Sequence, residues 1–399
     1  MSTLAALRAI ATPVSATLAI QTLVAFAVYS APVMAPVAGP ALGYTASAVG
    51  YFVSISYLGS MIGSVAGGGL VARYGPIRVS QCGLSLCLLG LAFGASAVPA
   101  LVVLGAFTIG LGYGPTTPAS SQILVRAAPP TLAALTFSIK QTGVPAGGVL
   151  AGALVPAMIL LGGWQGAALA IGAACLALAF LIAPLSARFD AERDARAPLT
   201  LRSVFAPLAE VAGDRGLRRM AIASFVYGGV QVTLVTYLVT FVVESFRLSL
   251  VLAGLVMAVS QVASVVGRLA WGVLADRVLP GLTVLGLLGL GMAASAFLTL
   301  AATPDWPLWV LFLFAAAFGA TAVGWNGVFL AEVARMAGRA RASSATGGCL
   351  FFTFFGVMVA PLVFNAVHAW LNSYAAAFAV FGLPSLAIAV TLLRAPRES

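Results

Sequence analysis

Two related stretches decide how this chain folds: GYFVSISYLGSMIGSVAGGGLVARYG at residues 50–75 and GLVMAVSQVASVVGRLAWGVLADRVL at residues 254–279. Each is long and apolar enough to cross a membrane as a helix, which takes about 20 residues. The second stretch begins 204 residues after the first, and small or basic residues recur at matching positions. The matching pairs are Gly50 and Gly254, Ser56 and Ser260, Gly63 and Gly267, Gly68 and Gly272, and Arg73 and Arg277. The recurrence indicates a duplicated unit that occupies about half of the chain.

The composition extends the membrane interpretation to the whole chain. Of the 399 residues, 61% are hydrophobic and 8% are charged, and the mean hydropathy is +1.08. An average soluble domain carries about 25% charged residues, so this chain has too few to cover a water-exposed surface. The composition excludes a soluble enzyme, a nucleic-acid-binding domain and a disordered chain. We expect a lipid bilayer around the protein, no enzymatic activity and no nucleic-acid partner.

The apolar runs are continuous rather than alternating, which predicts transmembrane helices and not a β-barrel. Breaks at charged residues and at Pro/Gly clusters predict an all-α membrane protein with twelve spans in two six-helix bundles. The predicted spans are residues 10–32, 47–71, 79–98, 100–124, 132–160, 165–186, 219–243, 250–274, 280–302, 307–331, 343–367 and 374–393. The bundles cover residues 1–186 and 219–399, and a charged cytoplasmic linker covers residues 187–218. Within it, residues 201–212 form either a helix on the membrane surface or a plain connection.

Basic residues set the predicted orientation. With the N-terminus inside, nearly all arginines outside the spans fall on the cytoplasmic side, and only Arg247 lies in an outer loop. The net charge of +10 therefore reflects membrane topology and needs no polyanionic partner. We expect a monomeric, multi-pass protein of a bacterial inner membrane with both termini in the cytoplasm.

The sequence offers no metal or cofactor site. Its four cysteines all lie inside predicted spans without a CxxC pair, and His368 is the only histidine. No GxxxxGK[ST] loop for nucleotide phosphates occurs. We therefore expect no bound metal or cofactor and no ATP-driven step.

The cytoplasmic end of span eight carries Gly272-Val-Leu-Ala-Asp276-Arg277, which resembles the G-x-x-x-D-R signature of the major facilitator superfamily. A copy follows span two, but Ala72 stands there where the family usually has aspartate. The resemblance covers the whole chain and implies two pseudo-symmetric bundles that work by alternating access. The signature loops that it implies as gates contain Gly68, Arg73, Gly75, Arg78, Gly272, Asp276 and Arg277.

A carboxylate at a helix end stabilises the N-terminus of a neighbouring helix, which is a physical reason for the signature aspartate. Ala72 predicts a weaker contact in the first half and leaves Asp276 with Arg277 as the better candidate. Alternatively, the arginines of both loops only set the topology.

Two cations are predicted near mid-depth of the membrane, where every ionisable residue is a functional hypothesis. Counted from the nearest chain break, Lys140 lies about 14 Å inside span five and Arg268 about 12 Å inside span eight. No predicted span carries a carboxylate at mid-depth. Alternatively, Lys140 extends to the inner surface and Arg268 only braces a helix.

The place of Arg268 resembles that of the substrate-binding arginine in monocarboxylate transporters, and a lysine with an arginine is similar to the oxalate/formate antiporter. The resemblance implies that Lys140 and Arg268 face one cavity, although those relatives carry the lysine on other spans. At about 6 Å the two cations would repel each other by roughly 3 kcal/mol. We therefore predict that a small organic anion bridges them in an exchanger or a proton-linked carrier.

Uncharged polar side chains are predicted either to line the same cavity or to hydrogen bond between helices. They are Gln21, Tyr57, Gln141, Gln231, Tyr237, Gln261 and Asn326. The alternative function is efflux of drugs or neutral metabolites, which Gly143-Val-Pro145-Ala-Gly147-Gly148 favours as a near-match to an antiporter motif. The same residues also fit a helix face of small residues that packs closely. A non-transporting membrane sensor or assembly protein is the third function class.

Overall fold

The computed structural model describes residues 3–127, 139–191, 193–194, 196 and 202–394. In this part of the chain the regular structure is entirely helical, which confirms the predicted all-α membrane fold. The α-helices are α1 (Thr3–Ala41), α2 (Val49–Tyr74), α3 (Pro76–Ala95), α4 (Pro99–Tyr113), α5 (Thr116–Ala127), α6 (Gly143–Leu181), α7 (Ser186–Phe189), α8 (Arg202–Gly213), α9 (Arg215–Phe246), α10 (Leu250–Arg277), α11 (Gly281–Leu298), α12 (Leu308–Ala322), α13 (Asn326–Leu371) and α14 (Tyr374–Leu393). Short 3₁₀ turns lie at Ala46–Ala48, Ala183–Leu185 and Thr299–Ala301.

Eleven helical stretches of the described residues are long and apolar enough to cross a membrane. One of them, Ile139–Phe189, has 51 residues, more than twice the length that a single crossing needs. Its helix α6 is interrupted at Gly162 and Gly163, and Gly163 has a φ of 71°, a conformation that glycine adopts without strain. This stretch therefore holds two segments, which correspond to predicted spans five and six. Residues 132–138 of span five lie outside the described residues.

The chain reverses direction at this glycine pair. A side chain added at Gly147 would lie 2.6 Å from the backbone nitrogen of Phe26 in α1. The Cys175 thiol, on the other side of the interruption, lies 3.8 Å from the carbonyl oxygen of Leu23, also in α1. A straight helix would separate Gly147 and Cys175 by about 42 Å. Both segments therefore pack beside the same part of α1 as two separate crossings.

The residues between predicted spans ten and eleven are helical rather than irregular, since they lie within α13, Asn326–Leu371. Residues 332–342 are rich in alanine and arginine, both strong helix formers, and lack proline. The two crossings are nevertheless separate. The ring of Trp325 lies 5.8 Å from that of Tyr227, and Thr353 packs against the next residue of α9, Gly228. Since a straight helix would place Trp325 and Thr353 about 42 Å apart, the chain turns back between them.

The helices group into two compact units. The first contains Met1–Met34 and Ile55–Leu201, and the second contains Ala35–Ser54 and Arg202–Ser399. The end of α1 and the start of α2 thus belong with the later helices. The predicted bundle limits stay a prediction, and the segment proposed as a surface helix is helical as α8, Arg202–Gly213.

Each unit contains an equivalent close helix crossing, which supports the duplication found in the sequence. In the first unit, a side chain added at Gly110 of α4 would overlap the carbonyl oxygen of Ser56 in α2. In the second unit, a side chain added at Gly319 of α12 would overlap the carbonyl oxygen of Ser260 in α10. Glycine at these two points lets the backbones approach closely.

The core of the second unit is aromatic. The ring of Phe364 in α13 lies 4.9 Å from that of Phe378 in α14, which lies 6.1 Å from that of Phe318 in α12. None of the three is more than 1% exposed. These rings hold α12, α13 and α14 together around span ten.

Candidate functional site

Two of the crossings are broken at equivalent places. Span four consists of α4, which ends at Tyr113, and α5, which begins at Thr116. Span ten consists of α12, which ends at Ala322, and the first part of α13, which begins at Asn326. Interruptions inside a crossing leave backbone groups without helical partners, which is tolerated only where protein buries them or where they line a cavity. The two breaks are therefore the natural places to look for a site.

Arg268 of α10 reaches the break of span ten. Its Nε donates to the carbonyl oxygen of Val323 at 3.1 Å, directly after the last residue of α12. Carbonyls at a helix C-terminus lack intrahelical donors, so this contact satisfies one of them. This contact matches the alternative prediction that Arg268 braces a helix. It also holds the half-buried guanidinium at the break.

Gln231 of α9 reaches the same break. Its Oε1 accepts hydrogen bonds from Nε1 of Trp325 and from Nδ2 of Asn326, both at 3.0 Å. Trp325 is fully buried, whereas Gln231 and Asn326 are half-buried. Three predicted residues, Arg268, Gln231 and Asn326, therefore come together around residues 323–326.

In the first unit, Tyr57 of α2 lies beside the break of span four. Its ring centroid is 6.4 Å from that of Tyr113, the last residue of α4, in an edge-to-face arrangement. Tyr57 is 8% exposed, and its side chain interacts with that of Tyr29 in α1. Tyr29 and Tyr113 were not predicted, although two tyrosines within apolar spans were a signal available in the sequence.

Lys140 lies shortly before α6 and is only 2% exposed. Its Nζ donates to Oε1 of the adjacent Gln141 at 3.3 Å. The salt bridge found among the described residues joins Glu332 and Arg335 and leaves Lys140 without a carboxylate partner in that part of the chain. A neutral amide oxygen compensates a buried charge poorly. Pro129 and Pro130, from which its depth was counted, lie outside the described residues.

The remaining predicted residues are deeply buried. Tyr237 donates to the carbonyl oxygen of Pro361 at 2.9 Å and lies 3.0 Å from Oδ1 of Asn365, so it makes the interhelical contacts of the alternative prediction. Gln21 and Gln261 are each 1% exposed. Among the described residues, no donor meets the Oε1 atom of either glutamine. Both therefore stay candidates for the site.

The glycines of span five pack against α1. A side chain added at Gly143 would place its Cβ 2.9 Å from Cβ of Gln21. The corresponding distance from Gly147 to the backbone nitrogen of Phe26 is 2.6 Å. Both are shorter than ordinary contacts, so these glycines serve a close helix contact, and their geometry does not favour the antiporter interpretation.

The family follows from comparison with known proteins. The sequence profile of the Major Facilitator Superfamily matches residues 17–350 of this chain. The chain belongs to that superfamily. No match to a curated protein was found.

Three solved structures show the same fold. A POT family transporter in complex with 5-aminolevulinic acid is 12% identical, with a TM-score of 0.76 and coverage of 95% of each chain. The fucose:proton symporter of E. coli is 18% identical, with a TM-score of 0.65 and coverage of 97% of this chain and 98% of that one. A D-xylose-proton symporter is 17% identical, with a TM-score of 0.67 and coverage of 96% of each chain. As a member of the Major Facilitator Superfamily, the protein is a multi-pass secondary transporter.

The first copy of the superfamily signature is held by an acid that the sequence analysis missed. Asp190 follows α7, is 4% exposed, and accepts hydrogen bonds from the backbone nitrogens of Ile77 at 2.8 Å and Arg78 at 3.2 Å. These N–H groups belong to the first turn of α3, which has no intrahelical acceptor for them. A side chain on Gly75, whose φ is 92°, would overlap the carboxylate. Asp190 therefore places an acid beside the first signature loop, and the weaker contact expected from Ala72 stays a prediction.

The second copy of the signature has an exposed aspartate. Asp276 is exposed near the C-terminal end of α10, where the helix dipole disfavours a carboxylate. Within the described residues no hydrogen bond or salt bridge of Asp276 is found. Glu332 is the acid beside the start of α11. A Cβ added at Gly281, the first residue of α11, would lie 2.7 Å from its Oε2. A gating role for Asp276 and Arg277 stays a prediction.

Replacing Asp190 with asparagine is expected to lower stability. The amide keeps the size of the carboxylate, but its NH₂ group would face a backbone N–H and leave that donor unpaired. The expected loss is about 1–3 kcal/mol, seen as a lower melting temperature of the purified protein in detergent. Asp194→Asn is the matched control, because the Asp194 carboxylate makes an exposed contact with the backbone of Arg196. Equal melting temperatures for the two variants would contradict the assigned role.

Proposed function

We propose that this major facilitator carries a small organic anion, a carboxylate, by alternating access, and that Lys140 and Arg268 bind it. The observation that carries the proposal is the burial of Lys140. It is 2% exposed, and among the described residues its ammonium contacts a neutral amide oxygen rather than a carboxylate. Burying an ammonium away from water is costly unless an opposite charge meets it. An anionic substrate would supply that charge.

The surroundings of Arg268 support the same substrate class. Its Nε bond to Val323 orients the planar guanidinium, a group whose fork of N–H donors matches a carboxylate. The first turn of α13 begins three residues after Val323, and the positive end of that helix dipole favours an anion. Arginine would grip the carboxylate in bidentate fashion, and lysine would act as a point charge.

The two cations also suggest how transport is coupled. Without substrate, closing the protein around both would cost roughly 3 kcal/mol at a separation of about 6 Å. A bound anion removes this cost, so the loaded carrier closes and the empty carrier resists closing. Exchange of one anion for another follows from this scheme, and so does a proton-linked cycle in which the proton travels on the substrate.

We further propose that the protein lies in a bacterial inner membrane as a monomer, with both termini in the cytoplasm.

A thermal-shift screen of the purified protein in detergent tests the substrate class. Mono- and dicarboxylates are expected to raise the melting temperature, because a ligand at 100 times its Kd stabilises by about 2.7 kcal/mol. Lipophilic cationic dyes are expected to leave it unchanged. Stabilisation by the dyes and not by any carboxylate, nitrate or phosphate would overturn the proposal in favour of drug efflux.

A further inference from the structure

The break of span ten fixes the orientation of one amide side chain. Nε1 of Trp325 lies 3.0 Å from the atom of Gln231 that faces it. An indole N–H is a donor only, so that atom of Gln231 is the carbonyl oxygen and not the amide nitrogen. The ambiguity that usually attends a glutamine amide is thereby removed. Asn326 lies 3.0 Å from the same oxygen and must present its NH₂ group as the second donor.

The consequence concerns the other end of the Gln231 amide. Both donors engage Oε1, so the NH₂ group points away from Trp325 and Asn326. Within the described residues no acceptor meets this nitrogen, and the side chain is half-buried rather than enclosed. Val323, which holds Arg268, is two residues before Trp325 in the same break. Gln231 and Arg268 therefore both contact the break of span ten, and the Gln231 amide is oriented there with its NH₂ group turned away from Trp325.

We propose that Trp325 holds Gln231 as the donor for a second acceptor oxygen of the anion that Arg268 binds. This inference rests on the proposed function and narrows its substrate class to carboxylates with a further carbonyl or carboxylate oxygen close to the first. In this assignment Gln231 touches the substrate and determines specificity. Trp325 is a positioning residue that acts through Gln231.

The test compares pyruvate, which has a keto oxygen beside its carboxylate, with propionate, which lacks it. Apparent Kd values for both acids come from thermal-shift titration of the purified full-length protein. The wild type is expected to prefer pyruvate about tenfold, an amount that one additional hydrogen bond supports. Trp325→Phe removes the donor that orients Gln231 and is expected to bring the ratio close to one.

Two further variants sharpen the result. Gln231→Glu keeps acceptors for Trp325 and Asn326 but turns a carboxylate oxygen toward the substrate, so pyruvate should lose its advantage entirely. Trp271→Phe is the matched control, because Trp271 donates its indole N–H to the carbonyl oxygen of Ala320 and not to Gln231. It should keep the wild-type ratio. The melting temperature of each ligand-free variant shows whether it folds.

The possible outcomes separate the inference from the proposed function. A pyruvate preference that survives in both Trp325→Phe and Gln231→Glu overturns the inference and leaves anion transport standing. Binding of neither acid to the wild type, with stabilisation by a dye, overturns the proposed function and this inference together. Loss of the preference in both variants but not in Trp271→Phe supports the assignment.

Discussion

Anion uptake into proteoliposomes is expected to fall to background when Arg268 is replaced with alanine, and likewise when Lys140 is replaced with methionine. Each change leaves a bound anion facing one cation instead of two. Removing one partner of a buried charge pair costs about 3–5 kcal/mol, which corresponds to a loss of about 10²- to 4 × 10³-fold in affinity. Arg268→Ala also leaves the Val323 carbonyl without its donor. Uptake of a radiolabelled carboxylate at several concentrations measures the effect.

Conservative variants separate charge from geometry. Arg268→Lys keeps the charge but loses the fork of donors, so weak uptake with a raised KM is expected. Lys140→Arg keeps a cation and should retain part of the activity. Arg218→Ala, at an exposed position of α9, is the control for the loss of a positive charge. Full uptake by both Arg268→Ala and Lys140→Met would exclude the anion clamp.

Replacing Gly110 or Gly319 with alanine is expected to give the largest losses of stability. At each position the new Cβ would overlap a backbone carbonyl oxygen, of Ser56 or of Ser260. A backbone atom in a helix cannot move aside as the end of a flexible side chain does, so the two helices must separate. Overpacking typically costs about 1–3 kcal/mol and sometimes more, and we expect the upper end or beyond. The measurements are the yield of folded protein and its melting temperature.

Matched controls come from the helices that contain Ser56 and Ser260, which are α2 and α10. Gly68 in α2 and Gly272 in α10 both have open space, since an added Cβ would meet no atom within 4 Å. Alanine favours a helix over glycine by about 1 kcal/mol, so Gly68→Ala and Gly272→Ala should keep or raise the melting temperature. If Gly110→Ala and Gly319→Ala had the same melting temperatures as these controls, the fold would not require glycine at the two close crossings.

The fold was largely predictable, because burial in lipid leaves a simple pattern of long apolar runs between arginines. The failures were local. Residues 332–342 contain the charges that usually mark a loop, yet their alanine and arginine content favours a helix. The breaks of spans four and ten were missed because single Pro and Gly residues occur inside intact spans as well, Pro361 in α13 being one example.

Part of the site was predictable for a different reason. Lys140, Arg268 and Gln231 stand out in the sequence because polar side chains are costly in a membrane. What they contact depends on residues far away along the chain, such as Val323 and Trp325. Asp190 was missed for the same reason, since it acts 113 residues from Ile77 and no local motif marks it.

Lys140 is also the only lysine in the sequence, and it is buried. No other side chain of the protein carries a primary amine, so Lys140 is the single side-chain target of an amine-selective reagent. Its reaction at residue 140 would report on how often water reaches that position, and a bound carboxylate would slow it. Mass spectrometry of Lys140 modification would therefore measure how often the site opens to water, without an engineered label.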